Sequence, residues 1–244
     1  MRFVKEAGDI LNDALRLWRP ERIWVCFNGG KDATVVLELY CRALEKYYWS
    51  REERAVAANC VWFKSEEEFG EVESFVERTC KRLRTNLMVM HGSYKERLSD
   101  FLSEVESTQS DTVLVLIGYR NDDDPRSPLR SRAAGAESPA GAESPAGAES
   151  LSGQHYPFMP GSSFLTEIPF MRCHPLLKWS YGDIWEFIDA NLIPVCPLYT
   201  SGYSSLGDVQ HTEKNPLLRN KHARELNDWS TERASRSSKD DPAT

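Results

Sequence analysis

The sequence predicts an α/β fold: a mostly parallel, Rossmann-like sheet covered by helices on both faces, followed by an irregular C-terminal extension. Three observations predict it. Short apolar runs alternate with stretches of helical period. The runs are continuous rather than alternating, as in strands buried on both faces. The first run ends in Asn28-Gly29-Gly30, a tight turn leading into a helix.

The elements follow in order. Val4, Ala7, Leu11, Ala14, Leu15 and Trp18 form one apolar stripe at three- and four-residue spacing, stopped by Pro20. Residues 23–27 read as a buried strand. From Asp32 the helical period returns through Val35, Val36, Leu39, Tyr40, Ala43, Leu44 and Tyr47. A second strand is expected over 56–63, a second inter-strand helix over 69–83 and a third strand over 87–90. Leu98, Phe101, Leu102 and Val105 mark the next helix, and residues 112–117 a fourth strand, apolar from Val113 onward. Ser180 can cap the last clear helix, with Asp183 three residues in and Ile184, Trp185, Phe187 and Ile188 following. Trp179 and Trp185 read as core. Beyond Pro194 the chain reads as loop.

Residues 134–150 repeat a six-residue Ala/Gly/Glu/Ser/Pro unit almost three times. A segment of small residues punctuated by proline buries too little to offset its ordering entropy. The expectation is one domain over residues 1–236, with a disordered insertion at about 126–155 and a disordered tail at 237–244.

Composition narrows the function classes. The hydrophobic share of 41% supports a core, and no apolar run is long enough to span a membrane. Acidic residues at Glu6, Asp9 and Asp13 do not suit a secretory or transit leader. A net charge of −7 disfavours a general nucleic-acid surface. The six cysteines include no C-x-x-C pair, so zinc, iron–sulfur and dithiol redox sites lose their usual signature, and the five histidines show no ligand spacing. These features read as a soluble, reduced and intracellular chain; the expectation is a cytoplasmic monomer with small-molecule partners, no nucleic acid and no membrane. Glu66-Glu67-Glu68 reads as a solvated charge run at a strand end.

The strongest chemical signal is Phe27-Asn28-Gly29-Gly30-Lys31-Asp32-Ala33-Thr34. Two glycines let the backbone approach a polyphosphate and present amide N–H groups, and the following helix directs its positive end at the same spot. Lys31 adds a mobile positive charge. Neither a Walker loop nor a Gly-x-Gly-x-x-Gly fingerprint is present.

This segment resembles the pyrophosphate loop of the ATP pyrophosphatase superfamily, and the form Phe-Asn-Gly-Gly-Lys-Asp is similar to that of eukaryotic FAD synthases (FMN adenylyltransferases). Four further segments agree with that family. They are Gly118-Tyr119-Arg120 with Asp124-Pro125; Phe170-Met171-Arg172 with Pro175-Leu176-Leu177 and Trp179; Gly202-Tyr203-Ser204-Ser205-Leu206-Gly207 with Asn215-Pro216; and Glu232-Arg233-Ala234-Ser235-Arg236. Two departures stand out. An extra acid in Asp122-Asp123-Asp124 leaves Asp124 as the family aspartate with Asp123 as the alternative, and residues 161–167 lack the family's Thr-Asp-Pro-x-Trp-Pro.

The resemblance implies a PAPS-reductase-like fold and transfer of AMP from ATP to FMN, giving FAD and pyrophosphate with Mg²⁺. It implies ATP contacts from Phe27, Asn28, Gly29, Gly30, Asp32, Thr34, Trp62, Phe63, Gly118, Arg120, Ser204, Ser205, Leu206 and Gly207. FMN contacts are implied for Asp124, Arg172, Tyr203, Arg233 and Arg236. Catalytic roles fall to Asn28, Lys31, Asp32, Asp124, Arg233 and Arg236, with Asp32 and Asp124 as metal candidates. The C-terminal segment is expected to fold over the site, although Glu232, Arg233 and Arg236 also fit one face of a surface helix. Two alternatives are a PAPS or adenylyl-sulfate reductase, which needs a reactive C-terminal cysteine, and a catalytically silent nucleotide-binding module.

Overall fold

The computed structural model describes residues 2–52, 56–106, 112–123, 156–161 and 166–236. The repeat, the insertion around it, Asp124 and the 237–244 tail lie outside the described residues. The element order is α1 (Arg2–Leu17), β1 (Ile23–Cys26), α2 (Lys31–Trp49), β2 (Asn59–Lys64), α3 (Gly70–Leu83), β3 (Asn86–His91), α4 (Tyr94–Glu106), β4 (Val113–Leu116), β5 (Phe158–Pro160), β6 (Phe170–Cys173) and α5 (Tyr181–Ala190).

The six strands form one sheet in the order β3-β2-β1-β4-β6-β5. All pairings are parallel except β5 with β6 at the edge. Side-chain alternation sorts the strands between two cores. Ile23, Val25, Leu114 and Leu116 pack into the cluster under α1, α2, α3 and α5. Val113 and Val115 pack with Leu98, Phe101, Leu102 and Val105 of α4. Both faces are covered, as the continuous apolar runs required.

Two strands were not legible. β5 has only three residues and ends in Pro160, and β6 is interrupted by Arg172, so neither presents a continuous apolar run. Trp18, assigned to the first stripe, lies just beyond α1 and stacks on Phe158 of β5 at 5.8 Å. The last helix begins as the sequence indicates: Ser180 Oγ accepts the Asp183 N–H, and Asp183 Oδ2 accepts the Ser180 N–H in return. The C-terminal extension is not plain loop. Short 3₁₀ turns occur at Pro197–Thr200, Ala223–Glu225 and Trp229–Thr231.

The strand order locates the site. From β1 the chain winds outward through β2 and β3, then returns to place β4 on the other side of β1. At such a reversal the loops leaving the two central strands diverge and open a crevice at their C-terminal ends. Residues 27–30 leave β1 there, and residues 117–120 leave β4.

Candidate active site

Phe27 prolongs β1, its N–H donating to Val61 O at 2.9 Å while its ring is buried in the core. It anchors the loop from below. Gly29 has φ +76°, and a Cβ there would meet Val76 Cγ2 at 3.1 Å and Val72 Cγ1 at 3.2 Å, so α3 packs directly on the loop. Exposed Asn28 folds its Oδ1 back onto the Gly30 N–H at 3.1 Å. Gly30 caps α2 without offering a side-chain acceptor, so the positive end of the helix stays open toward the crevice. Thr34 Oγ1 donates to Gly30 O at 2.8 Å. From the β4 side, a Cβ on Gly118 would lie 2.8 Å from Ala33 N, so the absence of a side chain lets the second loop touch the first turn of α2.

Lys31 is corrected by the structure. It is not a mobile surface cation: it is 1% exposed, with its ammonium 2.9 Å from Asp32 Oδ2 and also donating to Glu232 Oε1. The ring of Tyr181 lies beneath it, centroid at 5.1 Å, and the Tyr199 hydroxyl accepts its backbone N–H at 2.9 Å. Arg120 is buried as well. It is 0% exposed, its Nε is 2.8 Å from Asp32 Oδ1, and its Nη2 reaches both Asp123 Oδ1 at 3.1 Å and Glu232 Oε2. Arg233 closes the circuit on Asp123 Oδ1 at 3.1 Å. Lys31, Arg120 and Arg233 thus interleave with Asp32, Asp123 and Glu232 in an electrically balanced network.

Burial sets the electrostatics, and the partners decide the outcome. Desolvation pushes the Asp32 carboxyl up, but Arg120 and Lys31 overcome it and hold it at about 2. For Lys31 and Arg120, burial opposes the charge and the facing carboxylates outweigh it, so both pKa values rise. At Asp123 burial wins over Arg120 and Arg233, and its pKa is raised. All of Lys31, Asp32 and Arg120 are therefore ionised at neutral pH.

The C-terminal segment does lie against the phosphate-loop end, but not as a helix. Beyond the 3₁₀ turn ending at Thr231 the chain runs through tight turns, and Arg236 bridges antiparallel to Thr212. Glu232 is directed inward to Lys31 and Arg120, and Arg236 lies over Gly207, with Nη1 3.5 Å from Ser205 Oγ. A Cβ on Gly207 would meet Arg236 Nη2 at 2.9 Å.

Other candidates are dispersed. Ser204 is buried with Oγ donating to Glu232 O at 2.7 Å, so its hydroxyl is committed to the fold. Leu206 is core. Tyr203 is half-buried, edge-on to Phe69 at 5.6 Å. Trp62 is buried and Phe63, half-buried, packs on Tyr94 and Phe101 on the α4 side. Arg172 stays outside the ionic network: its Nε and Nη2 donate to Pro160 O at 3.2 and 3.1 Å, tying the edge strand to β6. Trp179 and Trp185 are core, as expected. Glu68 is not simply solvated, since burial and then the nearby Asp208 raise it to about 7, against the opposing bond from the Phe69 N–H.

The sequence reading passed over Glu232, Tyr199 and Tyr181 as site residues. Glu232 had a signal, as the first letter of Glu-Arg-x-x-Arg. The tyrosines had none, because they meet Lys31 only through tertiary packing. Among the described residues no group of three or more His, Cys, Asp or Glu could hold a metal by itself. No helix among them is long and apolar enough to cross a membrane.

A family model for the phosphoadenosine phosphosulfate reductase domain matches residues 22–214. The Schizosaccharomyces pombe protein named "Probable FAD synthase" is 32% identical over 230 residues, covering 91% of this chain and 74% of that one. The structure of Candida glabrata FMN adenylyltransferase in complex with FMN and the ATP analogue AMPCPP superposes with a TM-score of 0.70 at 26% identity, covering 98% of this chain and 73% of that one. The same C. glabrata enzyme with FAD and inorganic pyrophosphate superposes with a TM-score of 0.70 at 25% identity, over the same shares of the two chains.

Proposed function

From the premise that the chain belongs to the phosphoadenosine phosphosulfate reductase domain family, and within it to the FAD synthases, we propose how its residues carry out the reaction. The chain is an FMN adenylyltransferase: AMP passes from ATP to FMN, giving FAD and pyrophosphate. The observation that carries the reading is the meeting of the glycine loop with the Glu-Arg-x-x-Arg segment, through Glu232 on Lys31 and Arg233 on Asp123. A reductase needs a nucleophilic thiol in that segment. Residues 229–236 contain none, and Cys196 is buried with its thiol pushed up to about 11.

In this mechanism an FMN phosphate oxygen attacks the α-phosphorus of ATP, and the bond from that phosphorus to the bridging oxygen of the β-phosphate breaks. The electron pair leaves with pyrophosphate. A phosphate monoester has its second pKa near ~6, so the nucleophile is already largely dianionic at neutral pH and needs no general base. The protein's work is positioning and charge compensation. The open N-terminus of α2 and the Asn28–Lys31 backbone receive the triphosphate. Arg233 and Arg236 supply cations beside it, while Lys31 and Arg120, buried and paired, act through the network in which Asp32 and Asp123 keep the guanidinium groups aimed. Within the Gly-x-Arg segment, Asp123 is the acid that faces Arg120 and Arg233, which supports it as the acting aspartate; Asp124 lies outside the described residues.

Mg²⁺ fits this site as a companion of the triphosphate rather than as a resident ion, because the site carboxylates are shared with cations and form no cage. Asp32 is the residue to share it, and the ion would supply neutralisation of phosphate charge. We propose that the enzyme acts in the cytoplasm as a monomer, where its six cysteines, all free, would stay reduced. Incubation with ATP, Mg²⁺ and FMN tests the reading: pyrophosphate and FAD should appear in equal amounts, and no FAD under any metal would overturn it.

A further inference from the structure

Asn215 touches none of the charged groups of the site, yet its hydrogen bonds lead to the segment that carries two of them. It is 1% exposed, on the stretch following the Gly202–Gly207 loop. Both hydrogens of its amide nitrogen are used, one to Ser204 Oγ at 3.0 Å and one to Thr231 O at 2.9 Å. Its Oδ1 accepts the Leu217 N–H at 3.0 Å, and its own N–H donates to Gly202 O at 2.8 Å. Ser204 passes the link on, donating to the carbonyl of Glu232 at 2.7 Å. One buried side chain therefore fixes the two consecutive carbonyls of Thr231 and Glu232. The far end of the strap is fixed separately, by Glu213 N–H to Ser235 O at 2.9 Å and by the Thr212–Arg236 bridge. Between the two attachments stand Glu232 and Arg233.

We propose that Asn215 is a positioning residue for adenylyl transfer, holding the C-terminal strap so that Glu232 meets Lys31 and Arg120 while Arg233 meets Asp123. The inference rests on the functional reading above and goes beyond it, since Asn215 and Ser204 act through the strap backbone and not on a substrate. The chemistry of the side chain matters. A carboxylate of the same shape has no hydrogens to give and would face the Thr231 carbonyl and the Ser204 oxygen with repulsion. An unpartnered buried carbonyl is costly to keep, so the strap would detach at its first attachment.

The test uses Asn215→Asp, Glu232→Gln and the double variant of the full chain, with hydrogen exchange and FAD formation measured on each. Asn215→Asp should speed exchange of the amides at 231–236 and lower kcat by about tenfold or more. A residue that acts through Glu232 and Arg233 gives non-additive losses: the double variant should fall well short of the product of the single effects. Multiplicative losses, or unchanged exchange at 231–236, would overturn the proposal, whereas a residue needed only for folding would lower stability without that coupling. If Asn215→Asp does not fold, Ser204→Ala cuts the next link and is read in the same cycle. Wild type that forms no FAD defeats the functional reading, and the exchange measurement then still decides whether Asn215 pins the strap.

Discussion

Two ion pairs in this molecule have the same length and opposite consequences. On α1, Lys5 and Asp9 approach to 2.8 Å with side chains 81% and 60% exposed. At the crevice, Arg120 and Asp32 approach to the same 2.8 Å with side chains 0% and 14% exposed. The first pair exchanges one hydrated geometry for another and is screened by salt. The second has given up its water, and each member depends on the others for compensation. Distance alone does not rank the two; burial does. The molecule concentrates interdependent charges at the end of the sheet where its reaction takes place and leaves solvent-exposed pairs such as Lys5–Asp9 elsewhere.

The largest effect expected from breaking this contrast is Arg120→Met, which strands Asp32, Asp123 and Glu232 without their common cation. Removing one partner of a buried network costs about 3–5 kcal/mol, and urea unfolding should show it along with loss of FAD formation. Next is Asp32→Asn, which should cut turnover by at least ~10²-fold in a folded protein. It should also change the acid limb of stability. The Asp32 carboxyl is held at about 2, below its ordinary 3.8, so its contribution is complete above the ordinary value and is lost as pH falls through about 2. Denaturation curves between these pH values should flatten in the variant. Asp123, pushed up by burial, works in the opposite sense and takes up its proton earlier as pH falls.

Gly118→Ala is expected to cost about 1–3 kcal/mol, because the new methyl must displace the backbone at Ala33 N, 2.8 Å away. Thermal unfolding measures the cost, and a drop in turnover reports the shifted α2 terminus. The smallest effect belongs to Lys5→Gln on α1, which should leave the melting temperature and turnover unchanged at physiological salt. A clear fall in either would break the comparison, since exposure would then not be what separates the two pairs.

What the sequence disclosed follows the range of the interactions involved. The Asn28–Lys31 loop was legible because its chemistry is local: a strand, two glycines and a helix start are read within a dozen residues. The Ser180–Asp183 cap was legible for the same reason. Lys31 was misread as mobile because its burial comes from Glu232, 201 residues away, and from Tyr181 and Tyr199 on elements with no local mark of the contact. Ser204 was read by motif as an ATP contact, and nothing adjacent to it in sequence announces that its hydroxyl belongs to Glu232 and Asn215. The fold class needed only patterning, whereas the commitments of individual polar atoms needed the third dimension.

The separation between Lys31 and Glu232 also orders events in time. A ribosome adding roughly 5–20 residues per second needs roughly 10–40 s to reach Glu232 after Lys31 has been made. Late in that interval β1, β2 and β4 have all been made and can associate, but Lys31 and Arg120 still lack the carboxylate that joins them. The nascent chain must therefore keep this corner hydrated until the last segment is synthesised. Closure of the crevice is a late step of biogenesis, and a nascent chain stopped short of Glu232 leaves its sheet without the anion that seals it.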